Sequence, residues 1–185
     1  MEFRSQAIVP GAAPQPRVLL VEPKRSYLGV LARRVGEAGY RVATAEGAQA
    51  AMAEIHRMPV DLVLSELTLP GTSGVELVRM VRDDDVNRDL PLILMGGRLE
   101  AAAAVRALQA GADDVVRKPF HFEVLIARIA RQLTRARAMK ELRAANATLD
   151  ARVVTRAIEL GEMRDRWLQS EAERRRLEER LRQAA

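Results

Sequence analysis

Five short apolar runs, each followed by a segment of helical period, constrain this chain more than any other feature. They are "RVLLVE" (17–22), "YRVATA" (40–45), "DLVLSE" (61–66), "LPLILMG" (90–96) and "DVVR" (114–117). Helical patterns occupy 25–39, 47–57, 74–84 and 100–111, and a fifth begins near His121. Strands that alternate with helices make βαβ units, and so a parallel sheet with helices on both faces. The crossovers are short enough to predict one tight, doubly wound α/β domain of five parallel strands over residues 17–135. The residues before it, "MEFRSQAIVPGAAPQP", are rich in Pro, Gly and Ala and are expected to form a disordered lead-in over 1–16.

The period changes near Met139. A heptad with a at Met139, Asn146, Val153, Leu160, Trp167, Arg174 and Leu181 puts d at Leu142, Leu149, Arg156, Met163, Ser170, Leu177 and Ala184. Ten of these fourteen positions are apolar, which predicts a coiled coil within residues 136–185. The 46 residues from 139 to 184 would make a rod of about 69 Å. Asn146 at an a position suits a parallel two-stranded register. Between parallel helices, Glu159 would meet Arg164 and Arg166 would meet Glu171, whereas Glu173 and Glu178 would repel. A homodimer with a firm seam to Trp167 and a looser end is expected; a single helix folded back on the domain is the alternative.

Composition removes several function classes. The chain has no cysteine, so disulfides, thiolate metal sites and Cys nucleophiles are excluded. Aromatic residues make up only 3% of it, too few for base-stacking platforms. No apolar run is long enough to span a bilayer, and no signal-peptide core precedes the domain, so membrane insertion is not expected and a cytoplasmic address is the default. Residues 1–120 hold 15 basic and 15 acidic side chains, and residues 121–185 hold 15 and 10, so the excess of +5 lies in the C-terminal third. There the basic residues of "RWLQSEAERRRLEERLR" alternate with Glu, and a solvated, salt-bridged helix is expected rather than a DNA- or RNA-binding one.

Certain motifs within 17–135 carry a family resemblance. "RVLLVE", "EAGYRVATAEGAQAA", "LPGTSG" after the third strand and "GADDVVRKPF" (111–120) resemble a response-regulator receiver domain, the phosphoaccepting module of two-component signalling. The resemblance implies a flavodoxin-like strand order. It also implies an Asp acceptor after the third strand, two acids after the first that help hold Mg²⁺, a Thr or Ser after the fourth, and a Lys after the fifth. An aromatic on the fifth strand reports the event to the surface. Phosphoryl transfer needs this set because it consists mostly of positioning and charge neutralisation.

The chain departs from that pattern at most positions. Glu66 replaces the acceptor Asp, Glu22 keeps one acid while Pro23 takes the second, Gly96 replaces the hydroxyl and Val115 the aromatic; Lys118 matches. Glu is a methylene longer than Asp, and a misplacement of about 1 Å can cost ~10²-fold in rate. Glu22 and Glu66 make a poor Mg²⁺ site, since that ion demands near-octahedral oxygen ligation. The expectation is a pseudo-receiver, not an enzyme, with no metal or other cofactor and with Glu66 and Lys118 paired. A structural filling of the site is the plainer account of that pair, and imitation of the phosphorylated state the other.

His56 and His121 lack metal-ligand spacing and are expected at the surface. The acids of "RDDDVNRD" (82–89) are expected to face water. Residues 139–185 contain no His, so they are not the phosphorylated helix of a sensor kinase. "LDARVVTRAIEL" (149–160) is similar to the signalling helices that join receivers to downstream enzymes. The function expected is a dimeric adaptor or scaffold that binds a signalling protein through the fourth-helix, fifth-strand, fifth-helix face and the rod. The alternatives are a regulator still switched by phosphate and a nucleic-acid-binding regulator.

Overall fold

The computed structural model describes residues 15–97 and 101–183. The lead-in expected over 1–16 therefore lies, up to residue 14, outside the described residues, as does Ala184 of the heptad. Five parallel strands form one sheet: β1 (Arg17–Val21), β2 (Arg41–Ala45), β3 (Leu62–Glu66), β4 (Leu92–Gly96) and β5 (Asp114–Arg117). Their order is β2-β1-β3-β4-β5. The register sets Val21 beside Ser65, Glu66 beside Met95, and Gly96 beside Arg117.

The helices are α1 (Arg25–Glu37), α2 (Ala48–Arg57), α3 (Gly74–Asp83), α4 (Ala101–Gln109) and α5 (Phe122–Gln183). Both faces of the sheet are covered, which explains why β3 and β4 read as apolar runs rather than alternations. On one face Leu20, Leu64 and Ile93 pack against Leu31 of α1 and Leu125 and Ile129 of α5. On the other, Leu19, Val63 and Leu94 pack against Ile55 of α2, Leu77 of α3 and Ala107 of α4. Successive strand side chains point to opposite faces, so neighbours such as Leu19 and Leu20 serve different cores.

Two local features go beyond the sequence reading. Between β3 and α3 the chain makes a small antiparallel hairpin, Thr68–Leu69 with Thr72–Ser73. Its Pro70-Gly71 corner has Gly71 at φ +72°, where a β-carbon would be strained. Ser73 then caps α3 by accepting from the Glu76 amide, while the Glu76 carboxylate accepts from the Ser73 amide. The second feature lies in the 82–89 segment, where Arg82 does not point to water. It donates to the carbonyls of Arg88, Leu90 and Gly111 and to Asp113, tying the end of α3 to the loops around β4 and β5. Asp84 is likewise bound, to His56 at 2.6 Å and to the Val86 amide.

The chain divides into two compact units between Arg137 and Ala138. The second unit is helical to Gln183, and Gly161 does not interrupt it. Its side chains are solvent-facing almost throughout. No helix among the described residues is long and apolar enough to cross a membrane.

Candidate functional site

Parallel strands deliver their C-terminal ends to one edge of the sheet, and the adjacency of β1 and β3 brings Glu22 and Glu66 to the same point on it. Lys118 directly follows β5 and precedes the cis peptide bond to Pro119, and its backbone amide donates to the Gly96 carbonyl. Its ammonium sits between the two carboxylates. Nζ is 2.5 Å from Glu66 Oε2 and 2.9 Å from Glu22 Oε2. The expected Glu66–Lys118 contact is present, and Glu22 shares the same cation.

The remaining carboxylate oxygens are engaged as well. Glu22 Oε1 accepts from the Lys24 amide at 3.1 Å, and Glu66 Oε1 accepts from the Leu67 amide at 3.0 Å. Glu22 is 1% exposed, so its charge is held by these contacts and not by water. The Tyr27 ring lies over Lys118 with its centroid 4.0 Å from Nζ, and thus two carboxylates and one π face surround the ammonium. Burial pushes the Lys118 pKa down, but hydrogen bonds to Glu66 and Glu22 outweigh it and leave the value above its usual 10.5. Burial also raises the Tyr27 hydroxyl, against the pull of Lys118.

The other positions implied by the resemblance are arranged as follows. Pro23 is half-buried directly after Glu22, and Gly96 is buried. A β-carbon on Gly96 would meet Leu67 Cβ at 3.3 Å, so the Leu67 side chain crowds the place where a hydroxyl-bearing residue would stand. Val115 is half-buried and packs into the core on the α2, α3 and α4 side. The seam positions Met139, Leu142, Asn146, Leu149, Val153, Leu160, Met163, Trp167, Leu177 and Leu181 are all exposed in the isolated chain. The sequence reading missed Tyr27 and Leu67. The signal for Tyr27 was a rare aromatic set in the first turn of the helix that follows the acidic strand end.

The receiver resemblance implies Mg²⁺, and the residues present do not fit it. Each oxygen of Glu22 and Glu66 already accepts a hydrogen bond, and an ammonium occupies the space they share. Among the described residues there is no group of three or more His, Cys, Asp or Glu placed to hold a metal. What the arrangement can do is hold three strand ends together electrostatically, with one negative charge in excess.

Comparison with known proteins bears on the fold that carries this site. The response regulator receiver domain family matches residues 18–130. The phosphate regulon transcriptional regulatory protein PhoB of Pseudomonas aeruginosa is 36% identical over 118 residues, which are 64% of this chain and 52% of that protein. The transcriptional regulatory protein PhoP of Escherichia coli is 36% identical over 113 residues, 61% of this chain and 50% of its own. This chain thus spans about half the length of the curated relatives it matches. A response regulator receiver domain protein from Methanospirillum hungatei superposes with a TM-score of 0.63 at 25% identity, covering 68% of this chain and 98% of that one. The strand order, the acidic strand ends and the lysine after β5 are those of a receiver, and the chain belongs to the response regulator receiver domain family.

Proposed function

We propose that this receiver works without phosphorylation, as a cytoplasmic adaptor in a signalling system, paired with a second copy through its tail. The observation that carries the reading is the Lys118 ammonium, already bound by Glu66 and Glu22 and covered by Tyr27. A phosphoryl group needs that cation and a metal, and it would have to displace Glu66 from the first with nothing suited to bind the second. Gly96 and Val115 supply neither a hydroxyl to move nor an aromatic to relay the event.

Pairing is supported by the exposed seam, in which Leu149, Val153, Leu160 and Met163 are each more than half exposed. Helix faces of that composition bury themselves against a partner in a parallel coiled coil with Asn146 opposite Asn146. A signalling protein would dock on the α4, β5 and α5 face. The test is incubation with Mg²⁺ and acetyl phosphate, followed by intact mass and by light-scattering mass. An unmodified chain whose mass is indifferent to both additions is expected. Incorporated phosphate, or a mass that follows the phosphodonor, would overturn the reading.

A second reading is a regulator of transcription, favoured by the relatives named for that role and by the basic excess of residues 121–185. It predicts nucleic-acid binding that weakens steeply with salt.

A further inference from the structure

The tail helix carries a second apolar row that the parallel seam does not use. Ala147, Ala151, Val154, Ile158, Gly161 and Leu168 recur at spacings of three, four and seven, with Asp165 as the one polar break. At 3.6 residues per turn this row lies about 150° around the helix from the Met139–Leu181 seam. Val154, Ile158 and Leu168 are 60%, 59% and 50% exposed, so the row is more than a run of small residues.

We propose that this row takes the tail of another copy of the chain, running antiparallel. A continuous apolar register supports that occupant. When Val154 is set against Ile158 of a second copy, Ala144 meets Leu168, small against large, and Ala151 meets Gly161, both small enough for close approach. Charge complementarity sets the direction. In this register the flanking residues pair as Arg143 with Glu171 and Asp150 with Arg164, each twice by symmetry, and Ala157 faces itself. A parallel arrangement on the same row would leave only Glu171 with Arg176 as an opposite pair. Both pairs compete with contacts inside the helix: Glu171 holds Arg174 at 3.0 Å, and Arg164 lies 3.7 Å from Asp165, the longer and weaker of the two. Ala147 opposite Asp165 is the weak layer of the contact.

The number of chains rests on the parallel seam proposed above. Because the two rows lie on nearly opposite faces, a seam-paired dimer still presents the second row on both outer sides. Assembly therefore continues past two chains as concentration rises.

The absence of cysteine makes each introduced thiol unique. Under mild oxidation, Val154→Cys chains mixed with Ile158→Cys chains should form the mixed disulfide in excess of either self-disulfide. Leu149→Cys, on the parallel seam, should link to itself. Sedimentation should show the wild-type mass rising beyond two chains and the V154E/I158E double variant stopping at two, with circular dichroism confirming an intact helix. Asp150 faces Ala145 across the parallel seam and Arg164 across the antiparallel contact, so D150R should raise the concentration needed for the second step by about tenfold and spare the first. A V154E/I158E variant that keeps the wild-type mass, or the absence of the mixed disulfide, overturns the proposal. Loss of the Leu149→Cys self-link with the mixed disulfide kept would sink the parallel seam and support the antiparallel contact.

Discussion

Replacement of Lys118 by Met keeps the aliphatic stem under Tyr27 and removes only the charge. The consequence follows from the distances. Glu22 Oε2 and Glu66 Oε2 both lie within hydrogen-bond reach of Nζ, at 2.9 and 2.5 Å, and so cannot be more than about 5.4 Å apart. At an effective dielectric of about 20, two negative charges at that separation repel by about 3 kcal/mol. The variant can escape by protonating one carboxyl, which at pH 7 costs about 3.7 kcal/mol for a group with an ordinary pKa near 4.3. The two routes cost nearly the same, so the penalty at pH 7 should be about 3 kcal/mol, at the lower end of what breaking a buried pair costs.

The sign of its pH dependence is also fixed. In K118M one Glu has a raised pKa in the folded state, so the folded protein binds more protons than the unfolded one and gains relative stability as pH falls. The gap to wild type should therefore narrow by up to about 1.4 kcal/mol per pH unit between pH 7 and 5. Urea unfolding measures this, with a midpoint lowered by about 1–3 M. Trp167 lies in the tail, so a Trp167→Phe background lets Tyr27 and Tyr40 emission report the receiver unit. Glu66→Ala in the same background completes a double-mutant cycle. A K118M receiver within about 0.5 kcal/mol of wild type, or zero coupling to Glu66, would refute the reasoning.

At alkaline pH the wild type itself should weaken. The raised Lys118 pKa contributes stability that is fully present below 10.5 and is lost as pH rises through the folded value, and K118M should lack that phase in an alkaline unfolding titration. Gly74→Ala should destabilise by about 1–3 kcal/mol, because the new β-carbon would lie 2.6 Å from the Glu66 carbonyl oxygen, which is backbone and yields little. A thermal melt with an unchanged midpoint would contradict this. Ser73→Ala removes the cap on α3 and should cost about 1 kcal/mol in the same melt, and Ser73→Asp should recover most of it.

The sheet was legible because its signal is local: each apolar run and each helical period can be read in a window of about ten residues. Element ends moved by one or two residues, as frayed termini do. The site was legible only in part. Lys118 and Glu66 were paired on the strength of the resemblance, but Glu22 as a second partner depends on β1 lying beside β3, a long-range adjacency absent from any spacing. Tyr27 and Leu67 were missed for the same reason, since their roles come from where side chains point after two different strands. The sequence reading of 82–89 concerned its acids and gave Arg82 no role, because loop composition does not reveal the carbonyls that Arg82 reaches at Leu90 and Gly111. In the tail, the larger residues of the first row masked the second.

The contact between Leu67 and Gly96 bears on whether this site can be returned to phosphate chemistry one residue at a time. A threonine at position 96 would bring its β-carbon to 3.3 Å from the Leu67 side chain, which would have to give by a few tenths of an ångström for the hydroxyl to be regained. Shortening Glu66 to Asp draws a carboxylate away from Lys118, and adding an acid at Pro23 places a third negative charge beside a single cation. Each of these changes acts on a group that a neighbour already holds, so packing and charge at the site couple positions 22, 66, 67, 96 and 118, and the effect of restoring one depends on the others.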